Sequence, residues 1–304
     1  MAKKDGSFTK REMDRGLEKF YDHLDKQNFE SEEELKAFLA KTTGKKIGDL
    51  VPKKNKKELT DKERAEELID GIEDLRFEAR EMQAKKALAI YPNLVEGHLW
   101  LAYCSDTEEE ALTHFEQAVA AGEAEIGPEG FEEMKGHFWG FHQTRPFMRA
   151  KAEYGMVLRE AKKYEQSLCQ YKEILELNPT DNQGIRFSYA ALLVQTGKYL
   201  AYEKLIKVYG EENMAQSLFT YAVYCFKKHG NSVKSNLALA KAHAANPFVL
   251  KILLGEVEPS EETPTSYSLG SIEEAQLYLE ENYLLFPKNK KMAQWLLKSY
   301  RKHS

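Results

Sequence analysis

Cysteine is scarce in this chain. Only Cys104, Cys169 and Cys225 occur in 304 residues, far apart and with no CxxC pair. That spacing excludes a disulfide framework, a zinc site built on paired thiolates and a dithiol redox motif. The three lie on predicted helices and read as buried free thiols in a reducing compartment. Long apolar runs are lacking too: nothing approaches the ~18 consecutive apolar residues of a membrane helix. No apolar stretch follows MAKKDGSFTKREMDR, so a secretory signal is not expected, and the expected location is cytoplasmic. Catalytic signatures are missing as well. There is no glycine-rich phosphate loop opening a helix, no GxSxG and no HExxH. The expectation is therefore a non-enzyme with no cofactor and no metal.

Charge of one sign is also in short supply. The formal net charge is −5, with 15 Lys/Arg against 12 Asp/Glu in residues 1–60 and 29 against 37 in the remainder. An acidic body with a weakly basic extension argues against nucleic acid and against a membrane surface as partners. A protein or peptide partner is expected instead.

What the chain does have is a period. In residues 145–209 apolar residues recur at helical spacing, and Pro179 and Pro247 stand 68 residues apart, twice 34. Two antiparallel helices in 34 residues, with small and large apolar residues at set offsets and a proline near the end, form the tetratricopeptide pattern. With Pro179 at position 32, Met148 takes position 1, Gly155 position 8, Ser167 position 20, Tyr171 position 24 and Ile174 position 27. One period later the offsets fall on Tyr189, Ala201, Leu205 and Val208, with Gly197 at the turn. The next period places Val223, Ser235, Leu239 and Ala242. Amphipathic helices of any bundle repeat at i, i+3, i+4 and i+7, and it is the 34-residue register that separates this chain from a generic bundle. The expected fold is all-α: a tetratricopeptide-like right-handed solenoid of about five hairpins with a capping C-terminal helix.

Taken in order, residues 8–26 predict a short amphipathic helix with Leu17, Phe20, Tyr21 and Leu24 on one face. Ser31 followed by three glutamates predicts a second helix, striped by Leu35, Phe38 and Leu39. The lysine-rich segment that follows, with Gly44, Gly48 and Pro52, reads as a linker. Residues 1–59 thus form a helical extension and linker, and 60–304 the repeat domain. Thr60 before Asp-Lys-Glu predicts a helix start with Ala65, Leu68 and Ile69 inward, then a helix through Ala79, Met82, Ala87 and Leu88. A further hairpin holds Leu101, Ala102, Ala111, Phe115 and Ala118. Pro92 and Pro179 are 87 residues apart, two periods and 19 more, so about half a repeat is inserted. It falls at 127–145, GPEGFEEMKGHFWGFHQTR. After Pro247 a short helix stops at Gly255. An acidic loop, a helix from Ser271 and a basic-ended C-terminal helix complete the chain.

The stretch ALAIYPNLVEGHLWLAYCSDTEEEALTHFEQAVAAGE resembles the repeat core of the suppression-of-tumorigenicity-7 proteins and their bacterial tetratricopeptide relatives. So do ANPFVLKILLGE and YSLGSIEEAQLYLEEN, and GHFWGFHQTRPFMRA is similar to a segment of the bacterial branch. The resemblance spans about residues 60–300 and implies the repeat fold. It implies no activity for any residue. Eukaryotic members carry membrane segments that have no counterpart here, so their location is not implied.

Two sets of residues are candidates for function. In the insert, His137, Trp139, His142 and Arg145, with Arg149 just after, form either an aromatic plug or a pocket whose arginines grip a carboxylate or phosphate. The plug, made by Phe138, Trp139 and Phe141, is the favoured reading because aromatic side chains mostly pack. Glu132 and Glu153 are then expected partners of the arginines. His137 and His142 are five residues apart, which does not place them on one helical face as a metal pair. The second set, Arg149, Arg159, Arg186 and Lys227, falls at offsets that line the groove of such repeats. Those cations suit an acidic tail or C-terminal carboxylate, although ordinary solvated or salt-bridged charge is the favoured reading. The expected function is a protein-interaction scaffold. The alternative is an enzyme or small-ligand binder using the Trp139–Arg149 segment.

Overall fold

A computed structural model describes residues 16–17, 19–21, 23–24, 27, 29–45, 50, 58–210, 212–286 and 290–303. Much of the segment 8–26 and of the lysine-rich linker lies outside them. Among the described residues the chain is helical throughout, with no strand. No described helix is long and apolar enough to cross a membrane. Two compact units divide the chain: Met1–Ala161 with Glu176–Asn182, and Lys162–Leu175 with Gln183–Ser304.

In the first unit, α1 (Glu32–Thr42) starts at Ser31, whose hydroxyl accepts the Glu34 amide, and carries three glutamates in its first turn. That capping satisfies one of the free N–H groups at the helix start. None of its residues is buried. Next, α2 (Asp61–Ile69) opens with a reciprocal capping box between Thr60 and Glu63, the pairing that leaves both end donors satisfied. It packs on α3 (Phe77–Ile90), and α3 on α4 (Val95–Tyr103). Ala65, Ile69, Ile72, Ala84, Ala87, Leu94 and Leu101 form one core, with Leu68 and Leu88 against it. Met82 is 52% exposed, and of the three cysteines expected to be buried Cys169 is exposed while Cys104 and Cys225 are buried. The buried stripe of α3 runs through Ala84 and Ala87, and Met82 lies off it.

Then α5 (Glu108–Met134) packs on both α4 and α6 (Arg145–Glu160), and α4 also meets α6. Gly122 explains how closely α5 and α6 approach, since an added Cβ would sit 2.7 Å from the Phe147 Cβ. At Gly127 the backbone leaves the helix at φ 66° and ψ 167°, and Pro128 begins the next turn. Glycine tolerates that positive φ, and proline suits a first helical turn because it has no N–H to leave unpaired. The kink falls where the insert begins.

The second unit is built from α7 (Tyr164–Leu177, whose last two residues belong to the first unit), α8 (Ile185–Gln195), α9 (Tyr199–Tyr209), α10 (Ala215–His229) and α11 (Val233–Ala245). These are followed by α12 (Phe248–Leu253), α13 (Ile272–Asn282) and α14 (Lys290–His303). In it α8 pairs with α9, α10 with α11, and α8 also meets α10. The offset residues of the third period are all interior: Val223, Ser235, Leu239 and Ala242 are at most 1% exposed. Of the first period, Met148, Ser167, Tyr171 and Ile174 are at most 2% exposed. The middle period differs. Val208 is 75% exposed, Ala201 only half-buried, and Tyr202 takes the interior at 2%. A shift of one residue turns a helix by about 100°, and the Tyr202 ring, 4.8 Å from that of Tyr224, is what occupies the inward face. Late in the chain, Trp295 of α14 stacks on Phe226 at 4.3 Å and donates to Asn236 Oδ1 at 2.9 Å, seating α14 on the α10–α11 pair.

Candidate functional site

The insert is shaped by two 3-10 turns, Phe138–Gly140 and His142–Thr144, after a positive-φ glycine at 136. Phe138 is fully buried, its ring 5.1 Å from Phe131 and 6.2 Å from Phe147. Phe131 and Phe147 meet edge to face at 5.5 Å, so three rings fill the space between the kinked end of α5 and the start of α6. The buried Thr144 hydroxyl donates to the Phe138 carbonyl and is within 2.9 Å of the Phe141 carbonyl. Those two carbonyls also accept the Phe141 and Thr144 amides, at 3.2 and 3.3 Å, so the hydroxyl adds a bond to turns that are already closed.

The candidate residues surround this cluster unequally. Trp139, expected as part of the plug, is half-buried, and the Arg145 guanidinium lies 5.5 Å over its ring. Arg145 Nε also donates to the Trp139 carbonyl at 3.1 Å. Phe141 is 38% exposed. Of the three aromatics expected to pack here, Phe138 is the buried one, and Trp139 lies half-buried beside Arg145. Phe138 and Trp139 are adjacent, and a 3-10 turn sends adjacent side chains about 120° apart, so only one of them faces the interior. His137 is exposed and His142 half-buried, stacked on Tyr21 at 4.7 Å. Among the described residues no cluster of three His, Cys, Asp or Glu is arranged to hold a metal.

Arg149 binds a carboxylate that the sequence did not single out. Its Nη2 reaches Glu96 Oε1 at 3.2 Å, with side chains 11% and 10% exposed, while Glu153 accepts from the Tyr103 hydroxyl. Glu96 sits in the first turn of α4, where the positive helix end favours a carboxylate. Beside it is a cleft of about 450 Å³, including its open mouth, in which Lys62, Glu66, Tyr91 and Glu125 come together. Tyr91 donates to Glu125, which also takes Lys62 Nζ at 3.1 Å. Burial first, and then the Glu125 bond, push the Tyr91 hydroxyl up to about 12. These residues come from two helices and the turn after α3, and no local sequence pattern marks them.

The other cations are also engaged. Arg159 is 7% exposed. Lys227 Nζ donates to the carbonyls of Val194 and Gln195 at 3.3 and 3.2 Å, closing the C-terminal end of α8. A cation there suits the negative helix end, and burial lowers its pKa from the ordinary lysine value. Arg186 Nη2 reaches both oxygens of Glu212, at 2.8 and 3.1 Å. Its guanidinium lies 4.2 Å over the Phe187 ring and 5.9 Å from that of Tyr209. Arg186 borders a cleft of about 360 Å³, again including its mouth, shared with Tyr202, Leu205, Gln216 and Ser217. Ser217 accepts the Glu212 amide at 3.3 Å. Glu212, on the connection between α9 and α10, had no signal in the sequence: it is 26 residues from the arginine it binds.

Arg149 and Arg159 belong to the first unit, Arg186 and Lys227 to the second. Arg149, Arg186 and Lys227 each bond to other parts of the fold, namely Glu96, Glu212 and the last carbonyls of α8. Compared with known protein families and with curated proteins, the chain matches none.

Proposed function

We propose that this chain is a non-enzymatic protein-interaction scaffold whose hairpins stack as a tetratricopeptide-like right-handed α-solenoid, with α14 as its cap, and that it works in the cytoplasm on a protein or peptide partner. The observation that carries the reading is the contact between first helices of successive hairpins inside each unit, α4 with α6 and α8 with α10. Stacked hairpins of this kind present long surfaces to a partner. The buried small residues at the repeat offsets, Ser167 and Ser235 at 0% exposed, support it further.

The test is affinity capture with the intact chain, followed by reconstitution from purified components. A single partner that rebinds at fixed stoichiometry is the expected result. A co-purifying small metabolite, lost on Arg145→Ala while the melt stays unchanged, would replace the scaffold with a small-ligand protein using the Trp139–Arg149 segment.

A further inference from the structure

In the cleft of the second unit a carboxylate of the chain already occupies an arginine. Arg186 lies over the Phe187 ring and near that of Tyr209, which limits the directions open to its donors before any ligand arrives. An arginine fork presented this way is suited to bidentate carboxylate recognition. Its occupant, Glu212, is the more exposed of the two, with 37% of its side chain open against 21% for Arg186. Leaving the pair costs Glu212 less burial than it would cost the arginine.

A second observation lies in the same cleft. Gln216 Oε1 is buried with no hydrogen-bond partner, and a buried acceptor left unmade is costly. It calls for an N–H or O–H brought from outside. Ala190, Tyr202, Leu205 and Ile206 give the cleft a largely apolar wall, beside the hydroxyls of Ser217 and Thr220.

We infer that this cleft docks a peptide segment in which a carboxylate stands beside an apolar side chain, and that Glu212 is the resident stand-in which that carboxylate displaces from Arg186. The peptide's N–H donates to Gln216 Oε1, its apolar side chain lies on the Ala190–Leu205–Ile206 wall, and charge balance at Arg186 is unchanged by the exchange. A cationic ligand would instead have to expel Arg186, the more buried partner, from two ring faces. The inference rests on the interaction-scaffold reading and names one site at which it operates.

The experiment is a calorimetric or NMR titration of the full chain with four probes. They are Ac-Gly-Leu-Asp-Gly-NH2, its Asn counterpart, its Lys counterpart, and Ac-Gly-Gly-Leu with a free C-terminal acid. The Asp peptide and the free acid separate a side-chain carboxylate from a chain terminus. At least one of them is expected to bind, and the Asn peptide about tenfold more weakly, the scale of a charge-assisted hydrogen bond. Glu212→Gln should tighten the acid about three- to tenfold, because removing an internal competitor raises the fraction of competent sites. Arg186→Gln and Gln216→Leu should weaken it. Should Arg186→Gln fail to fold, the gain on Glu212→Gln and the loss on Gln216→Leu still decide the matter. Acid and Asn peptides binding alike, no acid binding at millimolar concentration, or weaker binding on Glu212→Gln would each overturn the inference. So would preferential binding of the Lys peptide that improves on Arg186→Gln. A reconstituted protein partner whose affinity survives all three substitutions would overturn it too, while leaving the scaffold reading intact.

Discussion

Phe138 and Trp139 are neighbours with different environments, and substitution should tell them apart. Phe138 is 0% exposed among three rings, so Phe138→Ala should cost about 3–5 kcal/mol, as aromatic-to-alanine changes in cores do. Trp139→Ala removes a half-buried ring and its contact with Arg145, and should cost less than Phe138→Ala in urea melts. The reverse order would restore Trp139 as the plug. Arg149 and Glu96 form a pair with both side chains about one-tenth exposed. Arg149→Ala strands the carboxylate away from water and should cost about 3 kcal/mol, whereas Arg145→Ala, on a more open site, should stay within about 1 kcal/mol. Equal melts for the two variants would contradict this. Tyr91 sets a pH dependence. Its folded pKa, about 12, lies above the ordinary value near 10. Below the ordinary value both states hold the proton and the contribution is fully present; from there to 12 the unfolded state alone releases it. Stability should therefore fall across that window in wild type, and less steeply in Tyr91→Phe, by denaturant titration at stepped pH.

At the scale of the element, helix starts were legible because capping is local. Ser31, Thr60 and Ser271 each accept an amide three residues on. What ties elements together was not legible. Glu274, 1% exposed, accepts from the Ala215 amide that opens α10, at 2.8 Å, and from Asn246 Nδ2 and the Gly270 amide, at 2.9 and 2.6 Å. In sequence it is one of two glutamates in a first turn. In the fold it joins the start of α10, the end of α11 and the start of α13. Glu274→Ala would leave three donors without an acceptor, each costing about 1–3 kcal/mol when buried, and should lower the urea midpoint more than Glu273→Ala. It should also speed exchange of the Ala215 amide. Indistinguishable exchange would mean that another group holds that helix end. The α9 register belongs to this scale as well. Periodicity placed Ala201 and Val208 inward, but a tyrosine at 202 fills more space beside Tyr224 than an alanine could, and packing chose the rotation.

For the whole molecule, the charge balance makes the clearest statement. An acidic body and a net charge of −5 predict no retention on immobilised DNA or RNA at moderate salt, checked by elution across a salt gradient. Steeply salt-dependent retention would refute the expectation of a partner other than nucleic acid. Composition and the 34-residue period by themselves determined that the described chain is helical, because helical periodicity and caps are properties of neighbouring residues. The spacing of Pro92 and Pro179 pointed to extra chain near 127–145, but not to the kink at Gly127 within one long helix. Tertiary structure decided the rest. It chose which of two adjacent aromatics is buried, gave Arg149 to Glu96 and Arg186 to Glu212, and left Gln216 with an unmet acceptor inside a cleft. Those outcomes depend on residues brought together from distant helices, where side-chain volume and the cost of burying charge select one partner among many that the sequence alone leaves equal.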